Sequence, residues 1–183
     1  MALLRFPRVR DLYDAFPAAL DDVGIPASDE PCLAFLRSLI TREAWNPAIS
    51  FCAYMLPRRE AVSWGCQSLR SMQPQLSQAE ATTLNAAEAW AREPEENFRR
   101  AALELGTQGD AGLPAIWMAL AAGWSGGSIV PPEYAHVRAP PEQTARAVRA
   151  GLMIAMSRIS GEDTPKAVTP CIESAIHLVE PSS

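Results

Sequence analysis

Apolar residues recur along this chain at steps of three and four almost from end to end. That spacing places them on one face of an α-helix. Leu12, Phe16, Ala19, Leu20 and Val23 mark the first such face. Pro17 falls inside it and predicts a split into two short helices, with Gly24 as the stop. Leu33, Leu36, Leu39 and Ile40 predict a helix from about Glu30 to Arg42. Asn46-Pro47 has the form of a helix start, an Asn cap with Pro in the first turn, and Ile49, Phe51, Cys52, Met55 and Leu56 follow it. Pro57 opens another helix, with Val62, Cys66 and Leu69 on its inner face.

Ser77 and Glu80 have the spacing of a capping box, and Leu84, Ala87, Trp90 and Ala91 are the inward positions of the helix it opens. Pro94 predicts the start of the next, to about Leu105, with Gly106 as its stop. These two form a helical hairpin with almost no loop. LPAIWMALAAGW carries Ile116, Leu120 and Trp124 at steps of four. A helix from about Glu142 to Ser160 is marked by Ala145, Val148, Leu152, Met156 and Ile159. Thr164-Pro165 starts a last one, with Val168, Ile172, Ala175, Ile176 and Val179 facing inward. No alternating β-branched run suggests a strand. The expectation is an all-α fold: an irregular bundle of about eight or nine helices, mostly antiparallel helical hairpins, in one domain over 1–183. The long irregular stretch is a Pro/Gly-rich loop at 125–141, SGGSIVPPEYAHVRAPP.

Composition narrows the chemistry. The chain has 183 residues and a net charge of −5, and Lys166 is its single lysine. Nothing there tracks a phosphate backbone, so no nucleic acid is expected. Cys32, Cys52, Cys66 and Cys171 are widely spaced, with no C-x-x-C and only His136 and His177 to join them. Reduced core thiols are expected, with no metal and no cofactor. The N-terminal apolar run is short and interrupted by Asp11 and Asp14. No stretch approaches the roughly 20 apolar residues of a membrane span. A cytoplasmic protein without a membrane segment is expected.

Gly123-Trp124-Ser125-Gly126-Gly127 fits G-x-S-x-G, and Asp163 and His177 follow in the order of a hydrolase triad. That elbow needs a strand before the serine and a helix after it. Here a helix precedes Ser125 and a Pro-rich loop follows, so a helix stop using the glycines is the expected role. Glu80, Glu88, Glu93, Glu95 and Glu96 predict a solvated acidic surface around the central hairpin, with acid–base chemistry as the rival. Arg58 and Arg59 stand in the first turn of a helix, against its dipole. They point to an acidic partner, inside the protein or outside it. Trp64 shares their helix, and Trp45 at a helix junction suits a surface anchor. Ile129, Val130, Tyr134 and Val137 put apolar groups on the proline-stiffened loop, which suits docking to a protein.

LPRREAVSWGCQSLR, AAEAWAREPEENFRRAALELG, PAIWMALAAGWSGGSIVPP and TARAVRAGLMIA, in that order, resemble a family of small bacterial proteins of unknown activity encoded in or beside type VI secretion gene clusters. The resemblance covers about Leu56 to Ala155, and Ser63 stands where that family often has a second Trp. Its pattern includes Arg58, Arg59, Glu60 and Trp64, then Trp90, Glu93, Pro94, Glu96, Asn97, Arg99 and Arg100, then Trp124 to Gly127 with Pro131 and Pro132. It implies a non-enzymatic adaptor or chaperone that binds an effector or spike component. The alternatives are an immunity protein that neutralises a toxin and, behind it, a small serine hydrolase using Ser125.

Overall fold

Pro17 does split the first apolar face. In the computed structural model, which describes residues 4–131, 133–134 and 136–180, α1 spans Val9–Ala15 and α2 spans Ala18–Val23. Gly24, at φ +71°, caps α2 in the left-handed region that glycine adopts without strain. A bridge between Arg8 and Pro31 ties the N-terminal segment to the start of α3, Cys32–Thr41. Then come α4 (Trp45–Met55), α5 (Arg58–Met72), α6 (Gln78–Arg92), α7 (Glu96–Gln108), α8 (Pro114–Gly123), α9 (Gln143–Ser157) and α10 (Thr164–Val179). The described residues thus form an all-α bundle of ten helices.

Three boundaries differ from the sequence reading, each for a tertiary reason. Asn46 does not cap α4. Glu43 takes the left-handed conformation at φ +53° and closes α3, with Ala44 N donating to Leu39 O. The cap then falls on Ala44, one residue before Trp45. Gly106 does not stop α7, which continues to Gln108. It is buried, and a Cβ there would meet the backbone N of Leu120 at 2.9 Å. Gly123 makes the reciprocal approach, since its Cβ would sit 2.8 Å from Leu103 Cα. These two glycines let α7 and α8 pack backbone to backbone. Finally, Asp163 is the N-cap of α10, and Pro170 sits inside that helix without ending it.

The capping box is present: Glu80 N donates to Ser77 Oγ at 3.2 Å and Ser77 N to Glu80 Oε2 at 3.1 Å. The centre of the bundle is α8, which packs against α5, α6, α7 and α9. Its PAIWMALAAG sequence is apolar all round, as a helix surrounded by others requires. One apolar core runs from Phe6 in the N-terminal segment to Val179 in α10. No helix among the described residues is long and apolar enough to cross a membrane.

Candidate functional site

Four buried polar side chains, Arg99, Thr144, Ser125 and Ser128, converge on the end of α8 and the loop that leaves it. A helix leaves its last four carbonyls without intrahelical donors, and here that end is buried. All four find partners. Leu120 O accepts from Trp124 N at 2.8 Å, and Ala121 O accepts from Thr144 Oγ1 at 3.3 Å. Ala122 O accepts from Ser125 N and from Ser125 Oγ, the latter at 2.6 Å. Gly123 O accepts from Arg99 Nη1 at 2.6 Å.

Arg99 is the pivot. It lies in the first turn of α7 but is only 3 % exposed. Its Nη2 reaches past the helix end to Ser128 O at 2.9 Å. Its Nε and Nη2 also hold the two oxygens of Glu96 at 2.7 and 2.6 Å. Arg100 donates to Glu96 and, through Nη1, to Val130 O at 2.7 Å. Bonds from Arg99 first, then from Arg100, hold the Glu96 carboxyl down to about 2. From α5, Arg58 donates to Ser125 O at 2.9 Å and to Pro141 O at 3.4 Å. Three arginines therefore grip five main-chain carbonyls spread over 123–141. Gly127 fits beneath them at φ +64°, where a Cβ would lie 2.8 Å from Arg99 Nη2.

The loop adds its own ties. Ile129 N donates to Val137 O at 2.7 Å, and Ser128 Oγ accepts from Val130 N and Val137 N at 3.3 and 3.2 Å. Ile129 and Val130 are half-buried at the base. The side chains of Tyr134 and Val137 face outward, 66 % and 44 % exposed. Beneath them a cleft of about 640 Å³ is bounded by Glu96, Arg100, Ser128, Tyr134 and His136.

The structure divides the residues singled out from sequence. Ile129, Val130, Tyr134, Val137 and Arg58 share the loop and its clamp. Arg59 instead closes the end of α6, donating to Ala91 O at 2.7 Å and Arg92 O at 2.9 Å. Both arginines in the first turn of α5 thus bond neutral main-chain carbonyls, those of the loop for Arg58 and those at the end of α6 for Arg59, and neither bonds a carboxylate among the described residues. Trp64 is no surface group: it is 1 % exposed and its indole N–H donates to Cys171 O at 2.7 Å. Trp45 is half-buried against the core at the start of α4, apart from the loop's bonds. Arg99 and Arg100, which carry most of the clamp, are not marked as binding residues by the sequence. Their place in a motif with Glu96 was the available signal, but an arginine in a helix's first turn reads as solvated until its carbonyl partners are known.

No triad forms around Ser125. Its Oγ is spent on Ala122 O. His177 is exposed on α10 beside Glu180, in a cleft lined by Arg37, Ile40, Thr41, Glu173 and Ile176. Asp163 caps α10. The αL glycine of the motif is Gly127, which bends the loop, while Trp124 is the residue that caps α8. Burial pushes the thiols of Cys32, Cys52, Cys66 and Cys171 up, Cys32 to about 12, so they stay protonated and unreactive at neutral pH.

Compared with known proteins, residues 35–179 match the model of a family of unknown function, DUF6931. No curated protein and no solved structure matches the chain.

Proposed function

The chain belongs to DUF6931, and from that premise we propose that it is a non-enzymatic accessory protein, an adaptor or chaperone, that holds a protein partner through the loop at 125–141. The observation that carries this reading is the clamp: Arg58, Arg99 and Arg100 fix the loop's main chain while Tyr134 and Val137 face outward. A segment ordered in advance loses less conformational freedom on docking. An aromatic ring beside an aliphatic group is the kind of anchor that protein interfaces use. Ser125 supports the non-enzymatic part, since its hydroxyl is a helix cap and neither His177 nor Asp163 bonds to it.

The partner follows from the resemblance of Leu56–Ala155 to proteins encoded with type VI secretion systems: an effector or spike component, met in the cytoplasm. The net charge of −5 favours a second reading, an immunity protein whose acidic surface meets a basic toxin.

The test is affinity purification of the tagged protein from its own cell, with mass spectrometry of what comes with it. One effector or spike protein should co-purify with the native chain and be lost with Tyr134→Asp or Val137→Asp, both of which should melt like the native protein. Retention of that partner by both variants would sink the reading. Protection of cells from a co-expressed toxin, without co-purification of a spike or cargo, would replace it with the immunity reading.

A further inference from the structure

At the foot of the loop, where α2, α4, α5 and α9 meet, the charges do not balance. Arg146 on α9 donates to Asp22 Oδ2 at 2.8 Å, and the same oxygen accepts from Tyr54 Oη at 2.5 Å. Arg149, one turn along α9, donates to the neutral Ser50 Oγ at 2.7 Å. Arg58 spends its donors on the neutral carbonyls of Ser125 and Pro141. Arg5 lies over the rings of Phe6 and Phe16 at 5.0 and 5.8 Å. Phe16 in turn packs on Tyr54 with centroids 5.6 Å apart. Contacts through Phe16, Tyr54 and Asp22 join Arg5 to Arg146, Arg149 reaches Ser50 one turn from Tyr54 on α4, and Arg58 lies close enough to Arg5 for their charges to act on each other. Arg5 and Arg58 are exposed, and Arg146 and Arg149 half-buried. Among the described residues, Asp22 is the carboxylate bonded to this face. Burial, first, and the nearby charge of Arg58 both hold the Arg5 guanidinium below its usual range.

We propose that the face formed by Arg5, Arg58, Arg146 and Arg149 is a docking surface for an acidic segment of a protein partner. The chain carries 21 acidic residues and a net charge of −5, yet on this face Arg146 and Arg149 share the one carboxylate of Asp22, and Arg5 and Arg58 bond none among the described residues. Guanidinium groups match carboxylates in geometry as well as sign. The surplus of about three charges fits a short run of Glu or Asp. Arg58 bonds both ends of the clamped loop, so the face adjoins the loop's base. The inference rests on the partner-binding reading for its setting but not for its test.

The experiment is fluorescence anisotropy of a labelled octaglutamate peptide with the purified chain. Octaserine and a thymidine oligonucleotide of equal length serve as comparisons. Octaglutamate should bind at low salt and weaken as ionic strength rises to about 0.15 M, where the Debye length is about 8 Å. Octaserine should not bind. Arg5→Gln and Arg149→Gln should each weaken binding about three- to five-fold, and Arg42→Gln, just past the end of α3, should leave it unchanged. Arg5 makes no hydrogen bond among the described residues, so its variant keeps the fold even if loss of the Arg149–Ser50 bond disturbs it. Absence of octaglutamate binding at low salt, or equal binding by Arg5→Gln, overturns the proposal. So does tighter binding of the oligonucleotide with the same arginine dependence. Purified protein and a defined peptide make this result independent of partner capture through Tyr134 and Val137.

Discussion

At the residue scale, Arg99 decides whether the candidate site exists. Its side chain joins a helix end, a loop and a carboxylate, and water has almost no access to it. Arg99→Met would leave the carbonyls of Gly123 and Ser128 without donors in a dry setting. Each such group costs about 1–3 kcal/mol. A loss of about 2–4 kcal/mol is expected, or roughly 5–15 °C in Tm for a chain of this size, read by thermal denaturation. Gly127→Ala should cost about 1–2 kcal/mol from the left-handed backbone alone, and more because the added methyl meets Arg99. Trp64→Phe keeps the buried ring and removes one of two side-chain donors to Cys171 O, since Ser174 Oγ still donates to it at 2.8 Å, so only about 0.5–1.5 kcal/mol is expected in denaturant melts.

At the element scale, the bundle depends on how helix ends are satisfied. Ser77→Ala removes the cap of α6 and should cost about 1 kcal/mol. The ends of α6 and α8 instead use arginines from other helices, so their stability is coupled to tertiary contacts. Glu96 gives this coupling a pH signature. Its folded value lies near 2, below the ordinary 4.5. A lowered carboxyl contributes stability above its unfolded value and loses it as pH falls through the folded one. Stability should therefore decline between about pH 4.5 and pH 2, and Glu96→Gln should flatten part of that decline in an acid titration followed by circular dichroism. The carboxylate side chain is 59 % exposed, so screening keeps the effect small. Asp22, held low by Arg146 and Tyr54 against the effect of burial, adds to the same decline.

At the scale of the whole molecule, α8 is the axle and the N-terminal segment a buttress. The family match begins at residue 35, so α1 and α2 lie outside it. Neither helix is long enough to be stable alone. They hold on through Val9, Leu12 and Ala19 in the core and through Asp22, which bonds Tyr54 of α4 and Arg146 of α9. Asp22→Ala should loosen this segment first. Hydrogen exchange should quicken in α1 and α2 while the amides of α8 keep their protection.

Read from the sequence alone, the all-α class was visible because apolar spacing and helix caps are local properties. Pro17, Gly24, Ser77 and Glu80 act within one turn of where they stand, and each did what its chemistry requires. The 125–141 loop was legible for a related reason, since prolines and glycines interrupt the periodicity. What tertiary structure decided were the residues whose role depends on distant partners. Gly106 has the chemistry of a helix stop, and only the backbone of α8 against it makes it a point of close packing. Arg58, Arg59, Arg99 and Arg100 have the spacing of surface charges, and only the carbonyls of 91–92 and 123–141 make them clamps. Ser125 sits in a hydrolase pattern, yet the helix before it turns its hydroxyl into a cap. A side chain's reach is set locally, but the group it meets is set by how the helices pack, and that is where this protein's candidate site is made.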